Sequence, residues 1–262
     1  MTEHALFDHD AAEPLAFQRR ETAPPEAFAG ARCVRFELTS RGDRVPGRLL
    51  LPASETGAPH PLVLLQHGAG GSMESPYLDA GGPWVRGGAA VATIDFPLHG
   101  ERSNAKFSAV LAAPNHASSE TLRIEFARQS IIDLRRTVDA LAALPEIDGE
   151  RIAYGGFSLG AMLGAVFCAV DPRPCAAALA LAGGGFGPDA IDPCRFVGAV
   201  SPRPILFVNA TRDETVPRAA TEALYQAAQE PKKIEWFDGS HQQLPGVALK
   251  AMWIHLRDAL GL

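Results

Sequence analysis

Ser158 stands in the run Gly156-Phe157-Ser158-Leu159-Gly160. A serine hydroxyl is a poor nucleophile until a neighbouring base takes its proton. The base in turn needs a carboxylate, which fixes its tautomer and stabilises the imidazolium that forms. Two later segments offer these partners. His241 lies in Asp238-Gly239-Ser240-His241, and Asp213 lies in Asn209-Ala210-Thr211-Arg212-Asp213-Glu214-Thr215-Val216-Pro217. Histidine is the side chain whose ordinary pKa suits proton transfer near neutrality. The three residue types together are suited to nucleophilic attack on an acyl carbon. Glu214, Asp189 and Asp192 compete with Asp213 for the carboxylate role.

Such an attack builds negative charge on a carbonyl oxygen, and backbone N–H groups must be waiting for it. One candidate is Leu159, directly after the serine. The other comes from Gln66-His67-Gly68-Ala69-Gly70-Gly71, where glycines let the backbone turn inward. Ala69 is the preferred second donor, with Gly70 as the alternative. His67 reads more readily as a structural loop residue than as a second base.

These residues need a scaffold. Segments 33–38 and 45–51 read as an antiparallel pair joined by Ser40-Arg41-Gly42-Asp43. Short continuous apolar runs follow at 62–65, 89–94, 152–154, 176–182 and 205–208, the pattern of strands buried on both faces, and 233–237 reads as a last strand. Between them lies a helix over about 121–144, where Ile124, Ile131, Leu134, Val138 and Leu141 form one stripe, stopped by Pro145 and Asp148-Gly149. Further helices are predicted over 159–170, 217–228 and 247–260. Alternation of this kind predicts an α/β fold with a mostly parallel twisted sheet of about eight strands, flanked by helices. Ligands bind such sheets at the carboxyl ends of the strands. Ser158, Asp213 and His241 each follow a predicted strand. The small residues Gly156 and Gly160 allow the sharp strand-to-helix turn that would lift Ser158 above the sheet.

The whole chain sets limits. Its 262 residues, 47% hydrophobic and 21% charged, suit one globular domain without disulfides or metals. Residues 1–32 read as an N-terminal extension and 33–262 as the domain. A net charge of −6 without a Lys/Arg run disfavours nucleic acid as a partner. No apolar stretch approaches the ~20 residues that span a bilayer, and the first ten residues lack a signal-peptide pattern, so a cytoplasmic location is expected. Cys33, Cys168, Cys175 and Cys194 form no C-x-x-C pair; they read as free thiols, with no metal site and no cofactor expected.

Four of these segments together resemble the α/β-hydrolase superfamily, in particular its branch of dienelactone-hydrolase-like proteins and bacterial serine esterases. They are the 66–71 loop, Gly156–Gly160, the stretch from Pro202-Arg203-Pro204 to Pro217, and Gly239-Ser240-His241. Asp95-Phe96-Pro97-Leu98-His99-Gly100-Glu101-Arg102-Ser103 adds a fifth match, either an active-site rim or simply a tight turn. The order Ser, Asp, His is the one this superfamily uses. One departure stands out: dienelactone hydrolases proper use a cysteine nucleophile, and this chain has Ser158. The resemblance implies hydrolysis of small or medium carboxylic esters through an acyl-enzyme. A peptidase, thioesterase or acyltransferase with the same triad is the alternative, and a non-catalytic binding protein of this fold a more distant one. A small-molecule ester is the implied partner, and the chain is expected to act as a monomer or homodimer.

Two insertions, about 101–120 and 183–200, connect at the edge where the site would lie and are predicted to form a small lid or rim. The candidate pocket residues are Trp84, Phe107, Leu111, Phe186, Phe196 and Leu244.

Overall fold

The computed structural model describes residues 3–53, 57–112, 119–185 and 187–262. Among the described residues, nine strands form one sheet in the order β1-β2-β3-β5-β4-β6-β7-β8-β9. In chain order they are β1 (Gln18–Thr22), β2 (Arg32–Ser40), β3 (Asp43–Leu51), β4 (His60–Gln66), β5 (Ala90–Ile94), β6 (Ile147–Phe157), β7 (Pro174–Ala180), β8 (Ile205–Ala210) and β9 (Lys232–Phe237). The first three strands and the β3–β5 pair are antiparallel; every other neighbouring pair is parallel. The helices are α1 (Gly82–Arg86), α2 (Ala105–Ala112), α3 (Ser119–Ala142), α4 (Leu159–Val170), α5 (Pro193–Phe196), α6 (Arg218–Ala227) and α7 (Gly246–Leu260).

The parallel strands read as unbroken apolar runs because both faces of the sheet are covered. In β4, Leu62 and Leu64 point into the core beneath α3 and α4, while Val63 and Leu65 point into the core on the side of α1 and α7. Ile205 and Phe207 of β8 face the first core, and Leu206 and Val208 the second. One strand of the nine escapes the sequence. β1 has the composition Gln-Arg-Arg-Glu-Thr and is largely exposed. Backbone pairing with β2, from Gln18 opposite Glu37 to Thr22 opposite Cys33, holds it at the sheet edge. No apolar alternation is needed there, so none is present to be read. Residues 3–32 contribute to the packing: besides β1, they supply Phe7, which is fully buried and packs edge-on against Phe196 at 5.5 Å.

β4 has β5 on one side and β6 on the other, so strand order reverses across it. A parallel sheet opens a crevice at such a reversal, outside the carboxyl ends of its strands. Here the crevice receives the loop after Gln66 and the turn after Phe157. No helix among the described residues is long and apolar enough to cross a membrane. All four cysteines are free, and burial pushes the Cys168 thiol up to about 12.

Candidate active site

β6 passes into α4 with a single residue between them, Ser158. Its backbone has φ 50° and ψ −113°, a conformation that side chains other than glycine rarely adopt. The surroundings hold it there: its N–H donates to the Ala180 carbonyl at 2.8 Å, and its own carbonyl accepts from Met162 N–H at 2.9 Å. The glycines on either side are required by close approach. A Cβ on Gly156 would lie 2.7 Å from the Gly160 carbonyl, and one on Gly160 would lie 2.6 Å from the His67 carbonyl oxygen. Gly160→Ala should therefore cost about 1–3 kcal/mol, the usual range for overpacking against parts that cannot move. Denaturant melts of the variant check this; an unchanged midpoint would mean the loop after β4 has room to retreat.

Ser158 Oγ lies 2.9 Å from His241 Nε2, and His241 Nδ1 lies 2.7 Å from Asp213 Oδ2. The Asp213 and His241 side chains are only 6% and 8% exposed, so water does not compete for this pair. Asp213 Oδ1 accepts from the backbone N–H groups of Thr215 and Val216 at 2.9 and 2.7 Å. The two loops that carry the pair are tied together by backbone bonds, Thr211 N–H to Phe237 carbonyl (2.9 Å) and Arg212 N–H to Gly239 carbonyl (3.0 Å). The competing carboxylates are elsewhere. Glu214 and Asp189 are exposed, and Asp192 caps α5 by accepting from Cys194 N–H.

Leu159 begins α4, so its N–H has no intrahelical acceptor. Among the described residues neither it nor Ala69 N–H donates to a protein group. Ala69 borders the same cavity as Ser158 and His241, whereas Gly70 does not.

Searches of protein-family models and of curated proteins returned no match. Solved structures do match. A cold-adapted esterase from an Arctic intertidal metagenomic library superposes with a TM-score of 0.74 at 23% identity, over 92% of this chain and 99% of its own. The acetyl xylan esterase of Paenibacillus sp. R4 gives a TM-score of 0.76 at 18% identity, over 98% and 92%. Acetyl xylan esterase 1 of Thermoanaerobacterium sp. JW/SL YS485 gives 0.74 at 18%, over 98% and 92%. The chain has the α/β-hydrolase fold.

Within this α/β-hydrolase fold the loop after β4 is braced from below. His67 is fully buried, with Nδ1 2.8 Å from the Gly68 carbonyl and Nε2 accepting from Phe96 N–H at 3.3 Å. Those partners assign the proton to Nδ1 and make His67 a neutral strut, not a base. Asp95 joins the same region, accepting from Met73 N–H at 2.7 Å and Glu101 N–H at 2.8 Å. It thereby ties the loop after β4 to the Asp95–Ser103 run, whose Leu98, His99, Gly100 and Ser103 border a cavity.

Burial lowers the His67 pKa from 6.5 to about 4. Between those values the unfolded chain takes up a proton that the folded chain excludes. Stability is therefore complete above pH 6.5 and falls as pH drops towards 4. The loss from this residue reaches roughly 3 kcal/mol below pH 4. Half-buried His9 and His255, also lowered chiefly by desolvation, act in the same direction. Urea midpoints measured from pH 7 to 4 should fall, and less steeply in His67→Asn; parallel slopes for both proteins would refute this role.

The predicted pocket residues divide. Leu244 borders the cavity that contains Ser158. Trp84 does not: it is 1% exposed and stacks on Trp253 of α7 at 5.8 Å, because α1 presses it onto the sheet. Phe196 is likewise core, turned inward onto Phe7. Phe107 on α2 points outward and is 51% exposed, whereas the next residue, Ser108, borders a cavity. The backbone of Leu111 belongs to α2, but its side chain lies outside the described set, as does Phe186. The predicted rim segments carry short helices: α2 in the first, and Asp189–Ile191, α5 and Val197–Val200 in the second.

Two groups of cavity residues were missed. Tyr77, Thr215, Gln242 and Gln243 surround Ser158 in a cavity of about 490 Å³. Leu98, Phe126, Met162, Leu163 and Ile191 border another of about 570 Å³. Leu98 and Ile191 lie in segments read as rim, the Asp95–Ser103 run and the 183–200 insertion, and Met162 lies one helical turn after Ser158 and so on the same side of α4.

Proposed function

We propose that the protein hydrolyses small or medium carboxylic esters through an acyl-enzyme on Ser158. The observation that supports this most directly is the unbroken series Ser158–His241–Asp213 beside the unpartnered N–H groups of Ala69 and Leu159. The esterases that share the fold point to the same bond class.

In this reading His241 Nε2 takes the Ser158 proton as Oγ bonds to the ester carbonyl carbon. Asp213 keeps the proton of His241 on Nδ1 and stabilises the imidazolium. Charge on the former carbonyl oxygen is met by the N–H groups of Ala69 and Leu159. When the intermediate collapses, the carbon–alkoxy bond breaks and Nε2 returns the proton to the departing alcohol. Water then attacks the acyl-enzyme by the same route, releasing the acid and restoring Ser158.

A fluorophosphonate probe tests the reading. It should label the protein once, on the peptide carrying Ser158, and abolish turnover of p-nitrophenyl esters in proportion. Labelling at another residue, or full turnover by labelled protein, would overturn it.

A further inference from the structure

One cavity holds the proposed nucleophile and a second lies beside it. The one holding Ser158 and His241 is edged by Tyr77, Thr215, Gln242 and Gln243 together with Leu181, Leu244 and Leu249. The other lies past Ala69 and Leu159, walled by Leu98, Phe126, Met162, Leu163 and Ile191. Ala69 borders both.

A tetrahedral intermediate on Ser158 has four substituents, and three are assigned by the chemistry. One is Oγ itself. The oxyanion faces the N–H groups of Ala69 and Leu159. The alkoxy oxygen must face His241 Nε2, since that atom returns its proton. His241 and the residues that follow it, Gln242, Gln243 and Leu244, all border the first cavity. The alcohol therefore belongs there. The acyl substituent, the fourth, is directed away from His241, past the backbone of Ala69 and Leu159, where the second cavity begins.

We propose that the second cavity is an acyl site for straight-chain aliphatic acids of about six to ten carbons, its volume of about 570 Å³ lying within the range of small-ligand sites. The inference rests on the ester-hydrolase reading and adds to it a substrate class: esters with a medium-chain acyl group.

The walls fit an alkyl chain. Leu98, Met162 and Ile191 pack on the core but remain half-buried, leaving apolar surface turned to the cavity. Covering such surface is favourable in proportion to its area. Met162 is unbranched and adapts its shape to the chain that enters. Two strong polar groups at the border are already engaged. The Asp192 oxygens accept from Gly185 N–H at 2.6 Å and Cys194 N–H at 2.9 Å, and His99 Nδ1 lies 2.8 Å from the Pro97 carbonyl. Arg123, which also borders the cavity, has an interaction of its own, so none of the three calls for a polar acyl group. An acetyl ester would leave the whole cavity unfilled, so the acyl preference inferred here departs from that of the acetyl xylan esterases that share the fold.

The test compares kcat/KM for p-nitrophenyl acetate, butyrate, hexanoate and octanoate in the native protein, Met162→Trp, Ile191→Trp and Leu244→Trp. In the native protein kcat/KM should climb with length by up to roughly fourfold per methylene, the equivalent of about 0.8 kcal/mol. An indole at position 162 or 191 takes up the volume the chain would use. Each should lower the octanoate-to-acetate ratio at least about 30-fold, while Leu244→Trp, on the alcohol side, should not lower it. Ile191→Trp stands apart from the nucleophile helix and keeps the test decisive if Met162→Trp fails to fold. Acetate as the best substrate, with a ratio that neither indole moves, would overturn the acyl assignment and leave the ester-hydrolase reading standing. A ratio that collapses only in Leu244→Trp would also overturn it, by placing the acyl chain in the other cavity. Absence of all ester turnover together with an unlabelled Ser158 is a different result, because it removes the parent reading.

Discussion

Ser158→Ala, His241→Ala and the double variant should all lower kcat for ester hydrolysis by a similar factor, about 10⁴–10⁶. The similarity follows from the geometry. Ser158 Oγ and His241 Nε2 are 2.9 Å apart, and each has its chemical use only through the other. Removing the hydroxyl leaves a base with no proton to take. Removing the imidazole leaves a hydroxyl that stays protonated at neutral pH. Once either is gone, the second removal has little left to destroy, so the two losses do not multiply. What remains is the contribution of binding and of the Ala69 and Leu159 donors, about 10³–10⁴ over the uncatalysed rate. Steady-state kinetics on a p-nitrophenyl ester measure all three variants. Losses that multiply in the double variant would mean that the two side chains act independently and would refute a shared proton transfer. Folding is not expected to confuse the result. Ser158 is held by its backbone bonds to Ala180 and Met162, which alanine keeps, and His241 lies on a loop outside both cores.

The residues of this series were readable in the sequence because each falls within a short motif directly after a strand. Strands buried on both faces announce themselves as apolar runs, so the position of Ser158, Asp213 and His241 at one sheet edge follows from local information. The cavities are another matter. Leu98 comes from the loop after β5, Phe126 from α3, Met162 from α4 and Ile191 from a single turn before α5. Their convergence is a property of how helices pack on the sheet, and no periodicity along the chain encodes it. Trp84 and Phe196 show the reverse failure. Large apolar side chains near the site look like pocket walls in sequence, yet direction decides, and both turn into the core. β1 was silent for a third reason: the backbone ladder and polar side-chain contacts such as Arg32 to Glu21 attach it to β2, and neither requires an apolar pattern.

Asp213→Asn should lower kcat/KM about 10⁴-fold while changing stability little. The hydrogen bonds of Asp213 decide how the amide would sit. Oδ1 accepts two backbone N–H groups, from Thr215 at 2.9 Å and Val216 at 2.7 Å. An amide nitrogen cannot accept them, so the asparagine must place its carbonyl oxygen there and its NH₂ group at the Oδ2 position. That NH₂ faces His241 Nδ1, which is 2.7 Å from Oδ2 in the native protein. Two donors cannot share that bond, so Nδ1 becomes the acceptor and the ring proton moves to Nε2. Nε2 then meets Ser158 Oγ with a proton already on it, at the atom that must be empty to act as base. The side chain keeps its size and its backbone bonds, which is why folding should survive. The reading is therefore sensitive to one proton's position, and the measurement is the rate on a p-nitrophenyl ester beside a thermal melt. Near-native activity in a well-folded Asp213→Asn protein would show that the tautomer of His241 is set by something other than Asp213. Asp213→Ala separates the two roles, since it frees the Thr215 and Val216 N–H groups but places no donor against Nδ1. A smaller kinetic loss in Asp213→Ala than in Asp213→Asn would identify the misplaced proton, and not the lost packing, as the cause.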